Sequence, residues 1–145
     1  MSIYLILFIL LVIVICTFGP FDRVPDQQST SIASTKGFDV INETSNLTLI
    51  ATSISGRFQS SFPPLVNIPA GGRDHFEVIR EAFSRNSAFV SYNAVHADNR
   101  RVGTIDIEFV SYNLISGGIF ATLIGPISYS KNFSGTAIYI ANKDL

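Results

Sequence analysis

The chain has 145 residues, 47% of them hydrophobic, with Lys+Arg 10 against Asp+Glu 11 and a formal net charge of −1. Scattered charges in near-neutral balance exclude a nucleic-acid binder, which needs a basic face, and give no polybasic attraction to anionic lipid. One cysteine, Cys16, and two histidines, His75 and His96, exclude thiolate metal centres and leave the folded part without a disulfide.

From Ile3 to Phe18 the chain carries no charge, no Gly and no Pro. As a helix this run is about 24 Å long, near the lower limit for a hydrocarbon core of about 30 Å. Residues 1–19 are therefore expected to form a signal-anchor or transmembrane helix, with residues 3–18 in contact with the membrane. The alternative is a signal peptide that is removed. Its usual positive n-region is missing, and cleavage after Gly19 would place Pro20 just past the cut; cleavage after Cys16 would release a protein beginning at Thr17. Asp22, Arg23 and Asp26 follow the run, whereas only the free amine precedes it. This asymmetry favours a single-pass membrane protein with its C-terminal domain extracytoplasmic; the alternative localisation is secreted. Sequons at Asn42-Glu43-Thr44, Asn46-Leu47-Thr48 and Asn132-Phe133-Ser134 make Asn42, Asn46 and Asn132 candidate glycosylation sites if the chain enters a secretory lumen.

Residues 20–36 read as a flexible tether. Pro20 and Pro25 stop a helix, and Gln27-Gln28-Ser29-Thr30-Ser31 has no apolar periodicity. Over residues 37–145 the period is two. Strands are expected over residues 38–42, 47–54, 74–82, 88–95, 104–109, 120–124 and 136–141. The clearest is Thr104-Ile105-Asp106-Ile107-Glu108-Phe109, apolar at every second position. A helix over residues 75–83 competes with the third strand, because Phe76, Ile79 and Phe83 fit helical spacing, but the turn signal Pro69-Ala70-Gly71-Gly72 just before it favours a strand. About seven strands with frequent turns indicate an all-β domain, an antiparallel β-sandwich preceded by a single N-terminal hydrophobic helix.

The catalytic inventory is empty. No phosphate-binding Gly loop, GxSxG elbow or HExxH occurs, so no enzyme and no cofactor is expected. Asp74 and His75 are sequence neighbours that a strand would point to opposite faces. Asp106 and Glu108 share one face, which reads as the wet side of a strand. Loop aromatics remain as contact candidates: Phe58, Phe62, Tyr112, Phe120, Tyr129 and Phe133. The segment 112–120 is the strongest. It combines Tyr112, Leu114, Ile115, Ile119 and Phe120 around Gly117-Gly118, and its expected partner is a lipid headgroup or a surface protein.

The order of several elements resembles the aegerolysin family and its bacterial crystal-toxin relatives and, more distantly, the actinoporins. The elements are Val40-Ile41-Asn42-Glu43-Thr44, Gly56-Arg57, Pro63-Pro64, Ile68-Pro69-Ala70-Gly71-Gly72, Val90-Ser91-Tyr92, the strand from Gly103 to Phe109, and Ser134-Gly135-Thr136-Ala137-Ile138-Tyr139-Ile140. The resemblance implies a compact β-sandwich that binds membrane lipids, often sphingolipids, and in some members forms pores with partners. Aegerolysins are rich in Trp, and this chain has none; actinoporins use an amphipathic helix, whereas residues 3–18 are apolar all round. Two functions follow as expectations: a non-catalytic, membrane-anchored ectodomain that binds a protein or lipid partner, or a secreted lipid-binding cytolysin component released by cleavage.

Overall fold

A computed structural model describes residues 2–18, 34–59 and 61–144. The chain divides into two compact units, one holding the helix and the other, Ala33–Leu145, holding the described strands.

The helix α1 spans Ile3–Phe18, and the exposed side chains described along it are apolar on every side. Its 16 residues make about 24 Å of helix, less than the roughly 30 Å of a hydrocarbon core. Among the described residues, no helix is long and apolar enough to cross a membrane. Most of the tether expected over residues 20–36 lies outside the described residues. Its last three residues belong to a strand instead, because β1 starts at Ser34.

Among its described residues the β unit has eight strands: β1 Ser34–Asn42, β2 Thr48–Gly56, β3 Arg73–Arg80, β4 Arg85–Val95, β5 Arg101–Tyr112, β6 Ser116–Ile124, β7 Ile127–Lys131 and β8 Ala137–Asn142. They form two four-stranded sheets, ordered β3-β1-β8-β7 and β2-β4-β5-β6. The count exceeds the expected seven by β7, a short edge strand exposed at Ser128, Tyr129, Ser130 and Lys131. With one edge and one face in water it has no apolar alternation to betray it. The segment that competed as a helix is strand β3, with Phe76 and Val78 buried and His75 and Glu77 on the other face. Pairing is antiparallel except at one place. β1 and β8 run parallel, from Asp39 beside Ala137 to Asn42 beside Ile140, so the expectation of a wholly antiparallel fold is corrected there.

The sheets face each other through a stack of rings. Phe109 of β5 lies 5.2 Å from Phe38 of β1 and 5.2 Å from Phe76 of β3, and Phe58 extends the stack at 5.8 Å from Phe76. Burying each such ring contributes about 1.5–3 kcal/mol, and ring pairing adds roughly 0.5–1.5 kcal/mol. Val40, Leu49, Val90, Ile105, Ile107, Ile119, Ile138 and Ile140 complete the interior. All of these core residues come from the β unit, which therefore folds around its own interior. The β2–β3 crossover closes one side of the sandwich-like body: Phe58 bridges to Val78 of β3 and Ile68 to Leu49 of β2. Across the other side, Lys131 Nζ donates to the Ile119 carbonyl at 3.1 Å.

Register fixes two ends of this body. At one lie the start of β1, the end of β3, the β3–β4 turn, the start of β4 and the β5–β6 turn, as Ser34 pairs with Arg80 and Arg85 with Tyr112. At the other lie the β1–β2, β4–β5 and β6–β7 turns.

Candidate functional site

The β1–β2 end is a polar clasp. Asn42 is 0% exposed. Its Nδ2 donates to the carbonyls of Leu47 (2.8 Å) and Ile68 (2.9 Å), while its Oδ1 accepts from the backbone N–H (3.1 Å) and hydroxyl (2.6 Å) of Thr44. Both amide protons are used inside the fold, so the folded domain has no room for a glycan at Asn42, and that candidate is withdrawn. Asn46 is exposed, its Oδ1 accepting from Asn142. Asn132 is partly buried and shapes the β7–β8 turn, its Oδ1 accepting from the N–H groups of Thr136 and Ala137.

The outer face of β1 and β3 carries a charged row that adjacent-residue reasoning missed. His75 Nδ1 lies 2.7 Å from Asp39 Oδ1 and Nε2 lies 2.6 Å from Glu77 Oε1, with Arg73 completing the row at 3.0 Å from Asp39. The imidazole lies over Gly37, where a Cβ would come within 2.8 Å of the ring. The hydrogen bonds to Glu77 and then Asp39 hold the His75 pKa above its ordinary value. Burial would raise the Asp39 and Glu77 carboxyls, but hydrogen bonds outweigh it and hold both below their ordinary values: His75 and Arg73 act on Asp39, Thr35 and His75 on Glu77. With a carboxylate on each nitrogen, the ring has no free position from which to move a proton to a substrate. Asp74 points elsewhere, accepting from the His75 backbone N–H, and burial pushes its carboxyl up. Asp106 accepts from Ser91 Oγ at 2.6 Å and Glu108 pairs with Arg85 at 3.0 Å. Each is held by a neighbour on the solvent face of its sheet.

The opposite end is apolar at its tip. The β3–β4 turn presents Phe83, 99% exposed, and the β5–β6 turn presents Ile115, 87% exposed, beside Leu114. The turns are tied by the Asn113 N–H, which donates to the Ser84 carbonyl at 3.0 Å. A shallow groove of about 220 Å³ runs between them, lined by Ala82, Phe83, Asn113, Leu114 and Ile115. Phe83 has φ 63°, a left-handed conformation that is unfavourable for a bulky side chain and costs on the order of 1–3 kcal/mol. Around the tip stand Lys36, whose stem packs beside Gly117, Arg80, which donates to Ser34 Oγ, and Arg85, which lies 5.6 Å over the Tyr112 ring. Arg57 is paired with Glu81 there. The near-zero net charge thus conceals a local excess of cations.

The five expected contact residues divide three ways. Tyr112, Leu114 and Ile115 sit at the tip. Phe120 is exposed on the outer face of its sheet, where Lys131 Nζ stands 5.9 Å from its ring. Ile119 is corrected to the core: it is 1% exposed and pairs with Phe109, because strand alternation turns it inward as it turns Phe120 out. Gly117, expected in a flexible loop, is in β6, where a Cβ would meet the Val110 carbonyl at 2.4 Å. Among the loop aromatics, Phe58 is buried in the ring stack, while Phe62, Tyr129 and Phe133 are exposed. Phe83 was missed as a contact residue because it fitted the end of an amphipathic pattern; the Ala82-Phe83-Ser84-Arg85 break between two strands was the available signal.

Neither the comparison with protein-family models nor that with curated proteins finds a match for this chain.

Proposed function

We propose that this protein is a non-catalytic module brought to a membrane by α1, whose antiparallel-type β-sandwich presents a binding surface to a lipid or protein partner outside the cytoplasm. The observation that carries this reading is the joining of an all-apolar helix to a self-contained β unit with exposed Phe83, Leu114 and Ile115 at one end. An apolar helix gains stability only by leaving water, and bulky apolar residues held out on turns serve contact better than folding. The charged row at His75 supports a non-catalytic reading, since its groups neutralise one another.

Flotation of the full-length protein with phosphatidylcholine vesicles tests the reading. Co-flotation that survives carbonate, with the β unit digested by protease added outside, is the expected result. A full-length chain that stays at the bottom of the gradient refutes it. The shortness of α1 favours one alternative: α1 is removed and the β unit is released as a lipid-binding protein of the aegerolysin or actinoporin kind. Mature protein beginning at Thr17 would end the anchor reading and leave that alternative.

A further inference from the structure

The exposed apolar turns and the start of β1 share one end of the β unit. Ser34 pairs with Arg80 at the end of β3, directly before the turn that carries Phe83. β1 therefore starts, at Ser34, at the end of the β unit that carries Phe83, Leu114 and Ile115. At the opposite end the β1–β2 and β4–β5 turns read Glu43-Thr44-Ser45-Asn46-Leu47 and His96-Ala97-Asp98-Asn99-Arg100, with Leu47 buried, and Ile124, 66% exposed, stands before the β6–β7 turn.

The charges follow the same axis. Lys36, Arg57, Arg80 and Arg85 gather at the apolar end against Glu81, with Glu108 reaching Arg85 from further along the sheet. The other end mixes Arg73, Arg100, Arg101 and Lys143 with Glu43, Asp74, Asp98 and Asp144. An apolar tip inside a cationic collar matches the layering of a bilayer surface, where phosphates lie just outside the acyl chains.

We propose that the β unit docks end-on, through Phe83, Leu114 and Ile115 and the collar of Lys36, Arg80 and Arg85, onto the phosphate-bearing headgroup layer of the membrane that α1 enters. This deepens the proposed function and rests on α1 being the membrane segment. Docking makes the β unit and α1 two contacts with one surface, so the second forms at the high effective concentration set by the first. A helix too short to span a bilayer alone would gain retention from that second contact.

The absence of Trp from the chain allows a direct test. Phe83→Trp and Ile115→Trp each place a single indole at the tip, and Ala97→Trp places one at the opposite end. Each full-length variant is mixed with vesicles of phosphatidylcholine and phosphatidylglycerol, with and without brominated acyl chains. The two tip reporters should shift to the blue and be quenched by bromine, while the Ala97→Trp reporter does neither. Lys36→Gln combined with Arg80→Gln should reduce the tip quenching in anionic vesicles towards that seen with phosphatidylcholine alone. Co-flotation with every indole unquenched overturns docking while leaving the α1 reading intact, and makes a protein the occupant of the tip. Equal quenching at both ends overturns the end-on orientation. Quenching indifferent to the collar substitutions overturns the role of the cations. Loss of flotation by the unsubstituted chain overturns the α1 reading and docking together.

Discussion

The two ends of the β unit solve opposite problems. At the β1–β2 end, Asn42 takes the place of a short piece of sheet: it joins the carbonyls of Leu47 and Ile68 and caps Thr44, so chain that leaves the ladder still has its polar groups paired. The β3–β4 end is tied as well, Ser111 Oγ donating to the Ile79 carbonyl at 2.7 Å and the Asn113 N–H to the Ser84 carbonyl at 3.0 Å, but its outermost residues are apolar. A phenylalanine occupies a left-handed turn position and points its ring into water. Both ends are tied by hydrogen bonds, but the second also holds a bulky apolar residue in a left-handed turn. Where backbone strain and an exposed aromatic coincide, recognition is the economical explanation.

That contrast can be broken by mutation. Asn42→Ala should cost about 2 kcal/mol, because it leaves the buried Thr44 N–H without its acceptor and removes one donor each from the Leu47 and Ile68 carbonyls, which keep the Thr44 hydroxyl and the Leu49 N–H. Urea unfolding of the β unit measures it; a loss below about 1 kcal/mol would mean that water replaces the amide and the clasp is not structural. At the other end the sign reverses. Phe83→Gly should raise stability by up to about 1 kcal/mol, since glycine tolerates the left-handed turn. A clear destabilisation would show that the ring packs against the body and would remove the main evidence for a contact surface.

The smallest effect sharpens the middle ground between the ends. His75 is held above its ordinary pKa by Glu77 and Asp39. Its contribution is therefore fully present below the unfolded pKa of about 6.5 and is lost as pH rises through the higher folded value. Asp39 and Glu77 are held lower in the fold, so their contributions are present above the unfolded carboxyl range and are lost as pH falls through the folded values. The row is strongest in the interval between, in mildly acidic solution. The urea midpoint should decline modestly from about pH 6 towards pH 9, and the decline should vanish in His75→Gln. The same slope in that variant would assign it to other groups. Exposure of the row keeps the effect small.

Much of the β unit was legible because alternation is a local property. Ile105, Ile107 and Phe109 face inward and Thr104, Asp106 and Glu108 outward, as their spacing requires. The same rule applied to β6 would have sent Ile119 inward and Phe120 outward; grouping both as loop residues obscured it. Only Tyr112, Leu114 and Ile115 of the expected contact set came together at the tip. Phe83 joined them through pairing of β4 with β5, a relation between residues that no local pattern carries.

The sequence alone determined what depends on neighbours along the chain: an apolar helix over Ile3–Phe18, strands of period two, and the breaks between them. Tertiary structure decided what depends on partners far apart. It set β1 parallel to β8, which joins residues such as Val40 and Ile138. It also buried Asn42 within a sequon and placed His75 between Asp39 and Glu77. The physical reason is common to all three. Alternation says which face a side chain takes, but its partner on that face is chosen by strand order and register, and those follow from packing of the whole interior.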